Sequence, residues 1–173
     1  VSMLPEAVIT QLANIKIDPD ALAVAMLELP QAECPVTHHF GPGVYIRTVS
    51  FKAGDFLIGH DHKQPHTVMV LRGRALVLGD SPIEYVAPAI FTRRKKKKVV
   101  FCLEDCHWSN IFPNPDNERD IDTLEDRYLD KSDVSKQYDN ILLGVQRSQV
   151  DSSDFMNALS DIGITEEEAR AIS

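Results

Sequence analysis

The stretch GDFLIGHDHKQPHTVMVLRG, from Gly54 to Gly73, holds three of the six histidines in the chain. His60 and His62 are two residues apart, and side chains at i and i+2 of a strand point to the same face. Lys63-Gln64-Pro65 reads as a turn, after which His66 opens the next strand. Since neighbouring strands lie about 5 Å apart, the three imidazoles can converge on one point. The pattern predicts a metal site with His60, His62 and His66 as ligands.

The ligands of this site are all neutral imidazoles, which suit a divalent transition metal better than Mg²⁺ or Ca²⁺. Zn, Fe, Ni, Co and Cu all fit, and the sequence does not choose among them. The competing interpretation is that the histidines are surface or satisfied core residues.

The surrounding sequence is a series of short β-branched runs between Gly- and Pro-containing turns, which indicates a β-sandwich or small barrel. Helical patterns flank it. Asp18 before Pro19 is typical of a helix start, and Thr165 with Glu168 forms a capping box. We expect a helical segment over 1–34, a β-barrel over 35–115 and an acidic helical extension over 116–173. The predicted strands are Val44–Phe51, Phe56–His60, Thr67–Leu71, Arg74–Leu78, Ile83–Val86, Ala89–Thr92, Val99–Leu103 and His107–Phe112.

Composition narrows the function classes. The 173 residues carry a formal net charge of −8, which argues against a general nucleic-acid binder. No apolar run approaches the ~20 residues needed to span a bilayer, and no signal peptide is evident, so we expect neither a membrane partner nor export. The cysteines have no CxxC spacing, which indicates reduced thiols in the cytoplasm; they are Cys34, Cys102 and Cys106. Serine-hydrolase, Walker and dinucleotide-binding motifs are absent from the sequence.

The histidine stretch resembles the first motif of the cupin superfamily, G-x5-H-x-H-x3-E-x6-G. Gly54, His60, His62 and Gly73 match it with every spacing kept, and His66 stands where the motif has Glu. The resemblance implies a double-stranded β-helix, or jelly roll, with helical extensions at both ends. Without the carboxylate, a bound dication would keep its full charge, which favours an anionic ligand or a hydroxide at an open position.

The second cupin motif is only partly present. Pro88 stands about where a proline is expected, but the basic run Arg93–Lys98 replaces the glycine and histidine that should follow. Lys98 falls near the missing ligand's place, and His107 is the candidate fourth ligand. His107 is better interpreted as facing the opposite side of the last strand, unless a β-bulge changes its direction.

Longer segments resemble those of small single-domain cupins of tailed bacteriophages and prophages; examples are PVTHHFGPGVYIRTVSFKAG and VLRGRALVLGD. The resemblance runs from about Leu27 to Val134. It implies a protein of the infected host's cytoplasm, and cupins commonly dimerise, so we expect a homodimer.

The basic run also suggests a ligand. By the cupin match it lies at the barrel rim, where Lys96 and Lys98 share one face and would attract an anionic small molecule. A solvated turn is the alternative. Arg47 can face a ligand cavity or, as is more usual, the outer surface of its sheet.

Three functions stay open. The first is a metal-dependent enzyme acting on a small molecule, such as an oxygenase, lyase or isomerase. The second is a binding protein for a metabolite or nucleotide, and the third is an assembly protein whose metal stabilises the barrel.

Overall fold

The fold is a jelly roll made of two five-stranded antiparallel sheets. A computed structural model describes residues 17–79, 82–94, 97–130, 142–146 and 152–172. One sheet has the order β1-β2-β10-β5-β8 and the other has the order β12-β3-β9-β6-β7. From β2 to β10, the chain crosses repeatedly between the two sheets, with β6 and β7 as neighbours in the second sheet, and β10 returns between β2 and β5. This strand order is that of a double-stranded β-helix, so the fold predicted from the sequence is confirmed.

The first sheet consists of β1 (Val36–Gly41), β2 (Gly43–Phe51), β10 (Cys106–Asn114), β5 (His66–Arg72) and β8 (Ala89–Arg93). The second consists of β12 (Leu142–Gln146), β3 (Asp55–Gly59), β9 (Val99–Cys102), β6 (Arg74–Leu78) and β7 (Ile83–Val86). A third, two-stranded sheet pairs β4 (Asp61–His62) with β11 (Leu129–Asp130). The predicted bounds of β6 and β7 are confirmed, and most of the other predicted strands differ by one or two residues at an end.

Alternating burial along the strands separates two hydrophobic layers. In β2, every second residue from Tyr45 to Phe51 is buried. In β3, Leu57 packs between the two sheets, whereas Phe56 and Ile58 pack on the other face, beneath helices. The second sheet is therefore buried on both faces, which is why β3 reads as a continuous apolar run.

Two helices cover the outer face of the second sheet. Helix α1 (Pro19–Leu27) begins at Asp18, whose Oδ1 accepts a hydrogen bond from the backbone N–H of Asp20 at 2.9 Å. Its Leu22 and Met26 are fully buried against the sheet together with Phe155 of α3 (Ser152–Asp161). Thr165 and Glu168 form the predicted capping box at the start of α4 (Glu166–Ile172). Of the helical segment predicted over 1–34, residues 1–16 lie outside the described part of the chain.

The chain after Pro115 contributes to the barrel as well as extending from it. Helix α2 (Ile121–Tyr128) buries Leu124 and Tyr128 against Tyr45 and Phe112. Strands β11 and β12 then pair with β4 and β3. Among the described residues, no helix is long and apolar enough to cross a membrane.

Candidate functional site

A cavity of about 60 Å³ lies inside the barrel, between the two sheets and beneath α2. A buried water needs roughly 10–15 Å³ by the same measure, so the cavity has room for a few waters or a small oxyanion. Its wall is mostly apolar and aromatic. The charged residues, histidines and amide in the wall are Arg47, His60, His62, Arg93, Asn110 and Glu125.

The structure buries all three predicted metal ligands and brings two of them to the cavity. His60 follows the last residue of β3, His62 ends β4, and both line the cavity. His66 opens β5 beside them, with its ring centroid 4.1 Å from that of His62. Its Nε2 is 3.0 Å from Oδ1 of Asn110. Because an amide oxygen only accepts, Nε2 donates this bond and Nδ1 keeps the free lone pair.

Burial keeps the imidazoles of His62 and His66 neutral. It lowers the pKa of His62 to about 2, and the positive charge of neighbouring Arg93 acts in the same direction. Burial also lowers the pKa of His66, although the hydrogen bond with Asn110 opposes this. The Nδ1 atoms of both rings are buried and make no hydrogen bond.

The arrangement of the described side chains bears on the predicted metal site. Within the described part of the chain, no group of three or more His, Cys, Asp or Glu side chains is placed to hold an ion. His62 and His66 come closest to one, since their rings are adjacent and each keeps a buried nitrogen without a hydrogen bond. The metal site formed by three histidines stays a prediction.

Arg47 faces the cavity, which decides between the two orientations left open by the sequence. It lies in β2 between the buried residues Tyr45 and Val49, and only 8% of its surface is exposed. Its Nε is buried and makes no hydrogen bond. Burial lowers the pKa of Arg47 to about 10, so the guanidinium still carries its charge at neutral pH.

Arg93 is the second cation of the cavity, and sequence reasoning missed it as a site residue. It is the last residue of β8, and its Nε and Nη2 are buried without hydrogen bonds. Burial lowers its pKa to about 10, while the charge of Asp61 opposes that shift. A Cβ on Gly59 would lie 3.6 Å from Nη2, so Arg93 reaches across the barrel to β3. The sequence could have indicated this position, because Arg93 comes two residues after Phe91, and side chains two residues apart lie on one face of a strand.

The cavity has a positive charge balance. Among its lining residues, Arg47 and Arg93 are cationic, Glu125 of α2 is the one carboxylate, and His62 is neutral. Glu125 is half-buried, and its negative charge acts on Arg47. The charges described for this wall therefore sum to one positive charge.

The remaining predicted site residues lie elsewhere. His107 pairs with Arg72 of β5, which is six residues, or about 20 Å along the strand, from His66. A β-bulge follows His107, but its Nδ1 contacts Oγ of Ser50 at 3.0 Å, and it does not line the cavity. The structure therefore separates His107 from the other three histidines. Lys98 lines a second pocket, and Lys96 lies outside the described residues.

No family model matches the chain, and no curated protein matches it. Solved structures with a similar arrangement include a cupin superfamily protein from Desulfitobacterium hafniense DCB-2, with 17% identity over 53% of this chain and 87% of that chain, at a TM-score of 0.41. Ectoine synthase from P. lautus is 12% identical over 66% of this chain and 78% of that chain, at a TM-score of 0.42. A cupin-2 domain containing protein from Shewanella frigidimarina NCIMB 400 is 17% identical over 50% of this chain and 85% of that chain, at a TM-score of 0.38. The assignment of a jelly roll follows from the strand order, and the cupin resemblance from Gly54, His60, His62 and Gly73.

Proposed function

We propose that the protein binds a small oxyanion, a carboxylate or a phosphate, inside the barrel between Arg47 and Arg93. The observation that carries the proposal is the pair of arginines whose Nε atoms are buried and make no hydrogen bond. Both side chains line the same cavity.

The energetics favour a bound anion. Burying a charge is costly unless it is paired and hydrogen-bonded. Glu125 offsets part of the positive charge, and an oxyanion would supply both the remaining charge and the missing acceptors. The planar donor fork of arginine matches carboxylate and phosphate oxygens in geometry.

The histidines suit this ligand. A neutral imidazole carries one N–H, so His62 can donate to an oxygen atom in the cavity. The apolar remainder of the wall lowers the local dielectric constant and so strengthens each charge-assisted hydrogen bond.

Isothermal titration calorimetry with sodium acetate and sodium phosphate tests the proposal. We expect one of them to bind with Kd between about 10 μM and 1 mM, the range that a few strongly bound atoms can supply. Arg47→Met and Arg93→Met should each weaken binding at least tenfold. Arg72→Met, an exposed arginine at the far end of β5, is the matched control and should change Kd less than twofold. Equal affinities in wild type and Arg47→Met would exclude the site.

The second candidate function is metal binding by His60, His62 and His66, as in a metal-dependent enzyme. The adjacent rings of His62 and His66, each with a buried Nδ1 that makes no hydrogen bond, favour it. Metal analysis of purified protein and titration with Co²⁺, followed by its visible absorption, test this candidate. His62→Ala and His66→Ala should lose the signal, whereas His107→Ala should keep it. Retention of bound cobalt in both His62→Ala and His66→Ala would rule out this site.

Turnover, assembly and origin are separate proposals. Incubation with pools of small anions distinguishes an enzyme, which consumes a compound, from a binding protein, which retains it in stoichiometric amount. Sedimentation analysis of the full chain tests both the homodimer and the assembly role. The phage-type relationship, the absence of nucleic-acid and membrane partners and the cytoplasmic location remain proposals from the sequence.

A further inference from the structure

A second pocket, of about 230 Å³, lies between β7 and β8, which are edge strands of the two sheets. Its wall combines aromatic and aliphatic side chains with three cations. The aromatic residues are Tyr85, Phe91 and Trp108, and the cations are Arg93, Arg94 and Lys98.

The aromatic side chains form a defined cluster. The rings of Tyr85 and Phe91 are stacked, with centroids 3.9 Å apart and planes 18° from parallel. Trp108 meets both of them nearly edge-on, at 80° and 82°. Ring faces and edges arranged in this way favour a flat aromatic partner, which can stack or pack edge-to-face.

The second pocket adjoins the central cavity. Three residues, Arg93, Val100 and Trp108, line both spaces. Arg93 extends from β8 toward Gly59 of β3, and its side chain borders both spaces. An anion bound to Arg93 in the cavity would therefore lie next to the aromatic cluster.

We infer that the two spaces form one bipartite site for a small aryl-bearing acid. This inference rests on the proposed oxyanion site. The oxyanion would bind between Arg47 and Arg93, and the aromatic ring would occupy the second pocket against Tyr85 and Phe91. The two volumes together lie just below the ~300 Å³ lower bound of typical pockets for drug-sized ligands, so the ligand is a small one.

Matched ligand pairs test the inference on the full chain. The pairs are acetate with 3-phenylpropionate, and phosphate with phenyl phosphate, so they also distinguish the carboxylate from the phosphate. We expect the aryl-bearing member of one pair to bind at least tenfold tighter than its bare oxyanion. We expect 3-cyclohexylpropionate to bind more weakly than 3-phenylpropionate, because it cannot stack.

A plugging substitution locates the ring. Ile83 lines the second pocket and is 49% exposed, so Ile83→Trp can fill the pocket without entering the core. It should reduce the difference in affinity between the aryl-bearing anion and its bare oxyanion to less than threefold. The Kd of the bare oxyanion should stay unchanged. Val86→Trp is the control, since Val86 lies on the same strand, is 54% exposed and does not line the pocket.

The outcomes separate the two proposals. Equal affinity for the bare and aryl-bearing anions would overturn the bipartite site and leave the oxyanion site standing. The bipartite site would also be overturned if the aryl-bearing anion kept its tenfold higher affinity in Ile83→Trp. The same holds if Arg47→Met left the Kd of the aryl-bearing anion unchanged. If no anion of either pair binds to the wild type, both proposals fail.

Discussion

Arg93 lies directly opposite His66 in the antiparallel pairing of β8 with β5. This register brings the first residue of the basic run into the barrel, next to the histidine that stands at the glutamate position of the cupin motif. A positive charge thus lies beside the position where the motif has a negative one. This charge supports the proposal that the cavity binds an anion.

The first prediction concerns the thermal stability of the protein with and without an oxyanion. A ligand present at 100 times its Kd stabilises the native state by about 2.7 kcal/mol. For a chain of this size, 1 kcal/mol corresponds to about 2–4 °C in Tm, so acetate or phosphate should raise Tm by about 5–10 °C. Differential scanning calorimetry measures the shift.

Arg47→Met gives the complementary result. Methionine removes a buried cation while keeping most of the side-chain volume, so the variant should be at least as stable as wild type in anion-free buffer. It should also lose the anion-dependent rise in Tm. A variant much less stable than wild type without any anion would mean that Arg47 stabilises the fold itself and does not serve a ligand.

The sequence predicted those parts of the site that depend on local spacing. His60, His62 and His66 are all buried. His60 directly follows β3, His62 ends β4 and His66 opens β5, and turn residues fix the bounds of these strands. The position of Arg93 depends on which strand pairs with β5, and that pairing joins residues far apart in the chain. Strand β12 was not predicted for a similar reason, because it pairs with β3, which lies far from it in the chain.

The second prediction concerns the ion pair between Lys97 and Asp20. The Lys97 side chain is only 4% exposed and contacts Asp20 in the first turn of α1, which links the basic run to the N-terminal helix. The Asp20 side chain is 59% exposed, so the pair lies between the buried and surface cases. Asp20→Ala should destabilise the protein by about 1–3 kcal/mol.

Urea unfolding measures this effect. Lys52→Met is the control, because Lys52 and Asp105 form an exposed pair whose loss should cost under about 1 kcal/mol. Equal losses in Asp20→Ala and Lys52→Met would show that burial of Lys97 adds nothing. The sequence indicated a solvated turn or a ligand-binding rim here, because nothing local shows that a distant helix covers Lys97.

The third prediction concerns Gly73, which ends the histidine stretch. Its φ is +82°, and a Cβ there would lie 2.2 Å from the carbonyl oxygen of Asp105. Gly73→Ala therefore combines backbone strain with a clash against main chain, and should cost about 2–6 kcal/mol. Gly43 has a similar φ of +70° with open space around its Cβ position, so Gly43→Ala should cost only about 1–2 kcal/mol. If the two variants lose the same stability in urea, the close approach to Asp105 does not explain this glycine.

The last prediction concerns α2, which covers the cavity. Leu124 is fully buried with Tyr45, Phe112 and Tyr128 and lines the cavity. Leu124→Ala should cost about 2–5 kcal/mol and weaken oxyanion binding, because water entering the enlarged space screens the two arginines. Asp126→Ala, at an exposed position of the same helix, should change stability by under about 0.5 kcal/mol and leave binding unchanged. Urea unfolding and calorimetric titration on both variants separate the two effects. A Leu124→Ala variant that loses stability yet binds the anion with unchanged Kd would show that α2 supports the fold without sealing the site.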